Sequence, residues 1–137
     1  MAALVLDASV VLAVTLPDES SPMADRAMKR MVEHGALVPC HWLIEVGNGL
    51  LIAERRRRIS SAVRNEALAR IAALPFEIDD RLRETVWSAA TELAASHALT
   101  LYDAVYLELA ARSGLPLATL DGDLHRAAGK ERVPVVN

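Results

Sequence analysis

Short runs of β-favouring apolar residues alternate along this chain with longer stretches whose apolar residues recur at helical spacing, and few folds accommodate that alternation. The runs Leu4 to Leu6, Ala36 to Val38, Phe76 to Ile78, Leu117 to Thr119 and Val133 to Val136 are expected strands. Helices are expected near 8 to 15, 19 to 33, 40 to 57, 61 to 73, 80 to 97, 102 to 113 and 122 to 128. Repetition of strand and helix predicts an α/β fold: a parallel sheet with helices on both faces, its strands apolar throughout because both faces are buried. The order of the strands is not readable from the pattern. Pro39 before one helix, Pro75 between a helix and a strand, and Gly114 with Pro116 after another punctuate the expected boundaries.

With 137 residues, 53% of them hydrophobic, the chain fits one domain spanning 1–137 that needs no disulfide to hold its core. The single Cys40 cannot form an internal bridge, which suits a reducing compartment. The opening MAALVLDASV lacks the basic start and long apolar stretch of a signal peptide, and no apolar run reaches the roughly 18 residues needed to span a bilayer. A soluble, cytoplasmic protein without a membrane partner is expected. A formal charge of -3 excludes a globally basic nucleic-acid coat, so any such contact must rest on the local run Arg55, Arg56, Arg57 and Arg58. Aromatic residues make up only 4% of the chain, so platforms for stacking single-stranded bases are scarce.

In doubly wound sheets, functional side chains gather at the carboxyl ends of strands. Asp7 closes the first run, Asp121 follows the fourth, and Asp103 lies in the first turn of the helix before it. Glu45 falls inside the apolar helix HWLIEVGNGLLIA, where a carboxylate is costly to bury unless something pairs with it. Two unit charges about 4 Å apart repel by roughly 4 kcal/mol at an effective dielectric near 20, so several carboxylates together need a cation. Magnesium, or manganese in its place, is the natural counter-charge for an all-oxygen set. His34, His41, His97 and His125 do not fall at zinc-motif spacing and read as surface or packing residues.

Each acid also has a purely structural reading. Asp7 can cap the helix that begins at Ala8, Asp103 can complete a capping box with Thr100, and Asp121 or Asp123 can start the last helix. Glu45 has the weakest such reading. Basic residues at a helix end, as in Arg55 to Arg58, are often simply solvated. Trp42, Trp87, Leu50, Leu51 and Tyr106 sit among apolar neighbours and read as core or dimer contacts rather than substrate readers.

Three blocks together resemble the PIN domains and, within them, the VapC toxins of bacterial toxin-antitoxin pairs. In LVLDASVVLA, Asp7 and Ser9 match the family's first acid and the hydroxyl after it. In PCHWLIEVGNGLLIAERRRRI, Glu45 matches the second acid and Asn48 the polar residue one turn later. In LTLYDAVYLELAARSGLPLATLDGDL, Asp103 matches the third acid, Thr119 the hydroxyl after the fourth strand and Asp121 the fourth acid, with Asp123 as an additional carboxylate. The resemblance spans nearly the whole chain. It implies a three-layer α/β/α fold, a Mg2+- or Mn2+-dependent endoribonuclease leaving 5′-phosphate and 3′-hydroxyl ends, and a homodimer neutralised by a VapB-like antitoxin. It further implies that Asp7, Glu45, Asp103, Asp121 and Asp123 surround the metal and that Ser9, Asn48 and Thr119 orient them; Arg55 to Arg58, at the end of the Glu45 helix, are expected to offer guanidinium donors to RNA phosphates.

Two rivals bear on the same residues. Haloacid-dehalogenase-type phosphotransferases also place an Asp after a first apolar strand, but they require Asp-x-Asp, and position 9 is Ser. A catalytically silent module that only binds an antitoxin would not need all four acids.

Overall fold

The computed structural model describes residues 2–19 and 21–137; Met1, and Ser20 within the expected helix 19 to 33, lie outside the described residues. Four short strands, β1 (Val5–Leu6), β2 (Ala36–Val38), β3 (Phe76–Ile78) and β4 (Leu117–Ala118), form one sheet in the order β3-β2-β1-β4, every pairing parallel. The helices are α1 (Ala8–Thr15), α2 (Pro22–His34), α3 (His41–Arg55), α4 (Ser61–Ala72), α5 (Leu82–Thr85), α6 (Ala89–His97), α7 (Leu101–Ser113) and α8 (Gly122–Lys130). Parallel crossovers are as a rule right-handed, which carries α1 to α4, packed on one another, onto one face as the chain steps from β1 to β3. The long return from β3 to β4 then lays α6 and α7 on the other, giving the expected three layers. The chain therefore leaves β1 and β4, which are neighbours, in opposite directions, and the crevice above their carboxyl ends is the topological switch point where such sheets bind ligands.

Leu4, Val5, Leu6 and Leu117 are fully buried, the two-sided burial that makes parallel strands read as unbroken apolar runs. Trp42, Leu50 and Tyr106 join them in the core, whereas Leu51 is partly exposed and Trp87 is 88% exposed. Helices α1 and α3 meet without a spacer: a Cβ at Gly49 would lie 2.5 Å from a methyl carbon of Leu12. Only a glycine allows that approach.

Three boundaries differ from expectation. The fifth run, Val133 to Val136, makes one isolated parallel bridge, Leu117 to Val135, because Pro134 has no N–H with which to continue a ladder. Helix 80 to 97 is broken at Val86 to Ser88. There the Ser88 hydroxyl bonds the Glu84 carbonyl at 3.0 Å and the Thr91 hydroxyl bonds that of Val86 at 2.7 Å, side chains competing for helical acceptors. Helix α2 starts only at Pro22, capped by the Ser21 hydroxyl, which accepts from the Ala24 amide.

Candidate active site

Asp7 occupies the N-cap position of α1 yet makes no side-chain capping bond. Its buried carboxylate instead accepts two hydroxyls on one oxygen: Ser9 at 2.8 Å and Thr119 at 2.6 Å, both to Oδ2. Those hydroxyls are themselves anchored by the β4 turn, since Ser9 Oγ accepts from the Leu120 amide (3.1 Å) and Thr119 Oγ1 from the Asp121 amide (3.0 Å). Ser9 and Thr119 thus bind the ends of the two neighbouring strands to one carboxylate. Asp121 caps α8, its Oδ1 accepting from the Leu124 amide at 2.8 Å, and still lines the cleft with its neighbours.

Glu45 enters from the second turn of α3. Its Oε1 accepts the phenol of Tyr106 at 2.5 Å, and His41 Nε2 lies 3.3 Å from the same oxygen. Asp103 stands in the first turn of α7, where the Thr100 hydroxyl accepts from its amide at 3.1 Å. Asp7, Ser9, Glu45, Asn48, Asp103 and Asp121 line one open cleft of about 320 Å³, walled by Leu12, Gly49 and Ile52. Among the described residues no Lys or Arg lines it. The cost of that arrangement falls on Asp103: burial, then the charges of Asp121, Asp7 and Glu45, push its carboxyl up to about 6. Tyr106, fully buried, is held far above the ordinary phenol range by the same causes, burial first and then Asp7 and Glu45, so it remains a hydrogen-bond donor.

Two groups expected at the site stand apart from the cleft. Asp123 is exposed and pairs with Arg126 at 2.7 Å, one turn along α8, which leaves Asp121 as the acid facing the other three. Arg55 to Arg58 are exposed beyond the cleft, although Arg55 and Arg56 follow Ile52 by three and four residues on the same side of α3. Arg58 Nη2 donates to the Pro17 carbonyl at 2.9 Å. Pro17 adjoins a second groove, lined by Leu16, Asp18, Glu19 and Ser21, that shares Ser9 and Leu12 with the cleft.

Tyr106 and His41, read from sequence as core and as surface or packing, are contacts of a site carboxylate. The signal was present in register: Tyr106 follows Asp103 by three residues and His41 precedes Glu45 by four, so each shares a helix face with an acid. The donor set is chemically suited to a hard divalent cation, being all oxygen, anionic and without a competing basic side chain in the cleft. Among the described residues, no three His, Cys, Asp or Glu side chains converge closely enough to hold a metal as they stand. Asp7, Glu45 and Asp121 each engage one oxygen in a hydrogen bond within the protein.

Comparison with known proteins places this geometry. Over 121 residues, 88% of this chain and 91% of the relative, the sequence is 32% identical to Ribonuclease VapC3 of Pyrobaculum aerophilum. The fold superposes on the crystal structure of PAE2754 from Pyrobaculum aerophilum with a TM-score of 0.68 and 25% identity, covering 92% of this chain and 84% of that one. The family model for the PIN domain matches residues 4–130, from the first strand to the end of the helix that Asp121 caps. A sheet of this topology, with acids from β1, α3, α7 and the β4 turn above its switch point, belongs by that match to the PIN domain family.

Proposed function

We propose that this chain is a divalent-metal-dependent endoribonuclease, the toxin of a type II toxin-antitoxin pair. The observation that carries the reading is the convergence of Asp7, Glu45, Asp103 and Asp121 on one cleft that no basic side chain among the described residues lines. A structural cluster of four carboxylates would be neutralised by arginine or lysine; this one keeps its repulsion, which a bound cation would relieve. The likeness to a protein named as a ribonuclease supports RNA as the substrate.

Asp7, Glu45, Asp103 and Asp121 would hold the ion, Mg2+ or in its place Mn2+. When bound, it would lower the pKa of a water and offset charge on the phosphate and the leaving oxygen. Ser9 and Thr119 fix Asp7 Oδ2 and leave its other oxygen for the cleft. Asn48, on the cleft wall one turn after Glu45, offers an amide to a phosphate oxygen or a water. The row from Glu45 through Asn48 and Ile52 to Arg55 and Arg56 gives RNA a basic approach along α3, extended by Arg57 and Arg58 toward the adjoining groove. Within this reading the protein works in the cytoplasm as a homodimer and is neutralised by a VapB-like antitoxin. Among the described residues no helix is long and apolar enough to cross a membrane.

Purified protein freed of antitoxin is expected to cleave RNA with Mg2+ or Mn2+ and not in EDTA. Asp7→Asn, with its fold verified by circular dichroism, is expected to lose at least about a hundredfold in rate, as when an electrostatic contact to the transition state is removed. Equal cleavage by that variant would sink the assignment. Absence of cleavage on any RNA would favour the silent, antitoxin-binding module.

A further inference from the structure

We infer that Tyr106, seconded by His41, is a positioning residue that fixes Glu45 in the cleft; the inference rests on the metal-site reading above. A glutamate in the middle of a helix has three rotatable bonds and, with its side chain about one-third exposed, no steric reason to keep one rotamer. Here a donor from α7 bonds one of its oxygens, and a ring nitrogen on α3 lies beside that oxygen. The phenol of Tyr106 on α7 reaches Oε1 at 2.5 Å, and Nε2 of His41, one turn earlier on α3, lies 3.3 Å from it. His41 Nε2 also lies 3.1 Å from the Tyr102 carbonyl oxygen. Both of its neighbours are acceptors, so this nitrogen carries the hydrogen. Oε2 has no hydrogen-bond partner among the described residues, which leaves it as the oxygen available to a cation.

The phenol does more than fill space. The Tyr106 ring is fully buried and packs edge-on to His41, with centroids 5.0 Å apart. Phenylalanine would fill that volume without the cost of burying a hydroxyl. The hydroxyl instead joins two of the segments that carry acids. Its own helix bears Asp103 one turn earlier, and it donates to Glu45 on α3. Glu45 is thereby held in register with Asp103, alongside the His41–Tyr102 contact that also joins α3 to α7.

The test is a double-mutant cycle on Mn2+ affinity, measured by isothermal titration calorimetry on full-length protein freed of antitoxin, with melting curves as a fold control. Tyr106→Phe is expected to raise the Mn2+ Kd about tenfold or more, the usual effect of losing an outer partner of a ligand. In a Glu45→Ala background, already weakened, the same substitution should change nothing further. A purely structural role would weaken both backgrounds alike, and that result would overturn the inference. Should Tyr106→Phe fold poorly, His41→Ala carries the same cycle, with a loss of about threefold when Glu45 is present and none when it is absent. Wild-type protein that binds Mn2+ no more tightly than its Tyr106→Phe and His41→Ala variants overturns the positioning role alone. Wild-type protein that binds no Mn2+ overturns the metal reading and the positioning role with it.

Discussion

Helix α7 takes part in two clusters of acids, and they are treated in opposite ways. Near its start, Asp103 faces Asp7, Glu45 and Asp121 across a cleft that no basic side chain among the described residues lines. Five residues further along, Glu108 is buried but receives Arg112 through a fork, at 2.9 and 3.0 Å, and the same guanidinium makes two bonds to Asp79 after β3, at 3.1 and 3.0 Å. Arg112 is held well above its ordinary pKa by the Glu108 bonds and then by those of Asp79. One cluster is closed and ties α7 to the far edge strand. The other is open, and its carboxyl at position 103 is pushed up to about 6. Under the proposed function, stability and function separate along a single helix: paired charge sits where the fold needs a clamp, unpaired charge where a ligand would enter.

The sharpest way to break this contrast is to open the closed cluster. Arg112→Ala leaves Glu108 buried without its partner and should cost about 3 kcal/mol in urea denaturation. A cost under about 1 kcal/mol would mean that the pair is screened like an ordinary surface bridge. The complementary move closes the open cluster with a cation. Mn2+ at a hundred times its Kd should stabilise the wild-type protein by about 2.7 kcal/mol, and by the same increment in Arg112→Ala if the clusters are independent. The smallest effect comes from removing one repelling charge. Asp103 has a folded pKa above its unfolded value, so its penalty is absent below about pH 4, grows through pH 6 and is complete at neutrality. Asp103→Asn in EDTA should therefore melt about 1 to 3 °C higher than wild type at pH 7.5 and no higher at pH 4, the small size reflecting partial solvent screening.

How much of this was legible in the sequence follows from what each residue answers to. The four strands that pair are apolar runs buried on both faces, a signal that is local and strong. Val133 to Val136 carries the same composition, but a single Pro134 decides its pairing, and run-counting passes over it. The break at Ser88 depends on hydroxyls choosing helical carbonyls, with no glycine or proline to announce it. At the site, Asp7, Asp103 and Asp121 line the cleft because strand ends and first helical turns are fixed by the fold, and Glu45 reaches it from the second turn of α3. The sequence matched Asp121 to the fourth acid and left Asp123 as an additional carboxylate; in the fold Asp121 lines the cleft while Asp123 pairs with Arg126. Tyr106 and His41 escaped because an aromatic in an apolar helix looks like packing until its hydroxyl or ring nitrogen is seen to meet a carboxylate.

The close meeting of α1 and α3 at Gly49 reaches further than packing. Leu12 and Gly49 both form the wall of the cleft, so the aperture between Asp7 and Glu45 is gauged by a methyl group that is not there. Any side chain at position 49 must either drive Leu12 out of its seat or lever α3 away from α1, moving Glu45 while every carboxylate stays chemically intact. The bore of this site is thus set by a residue with no chemistry of its own.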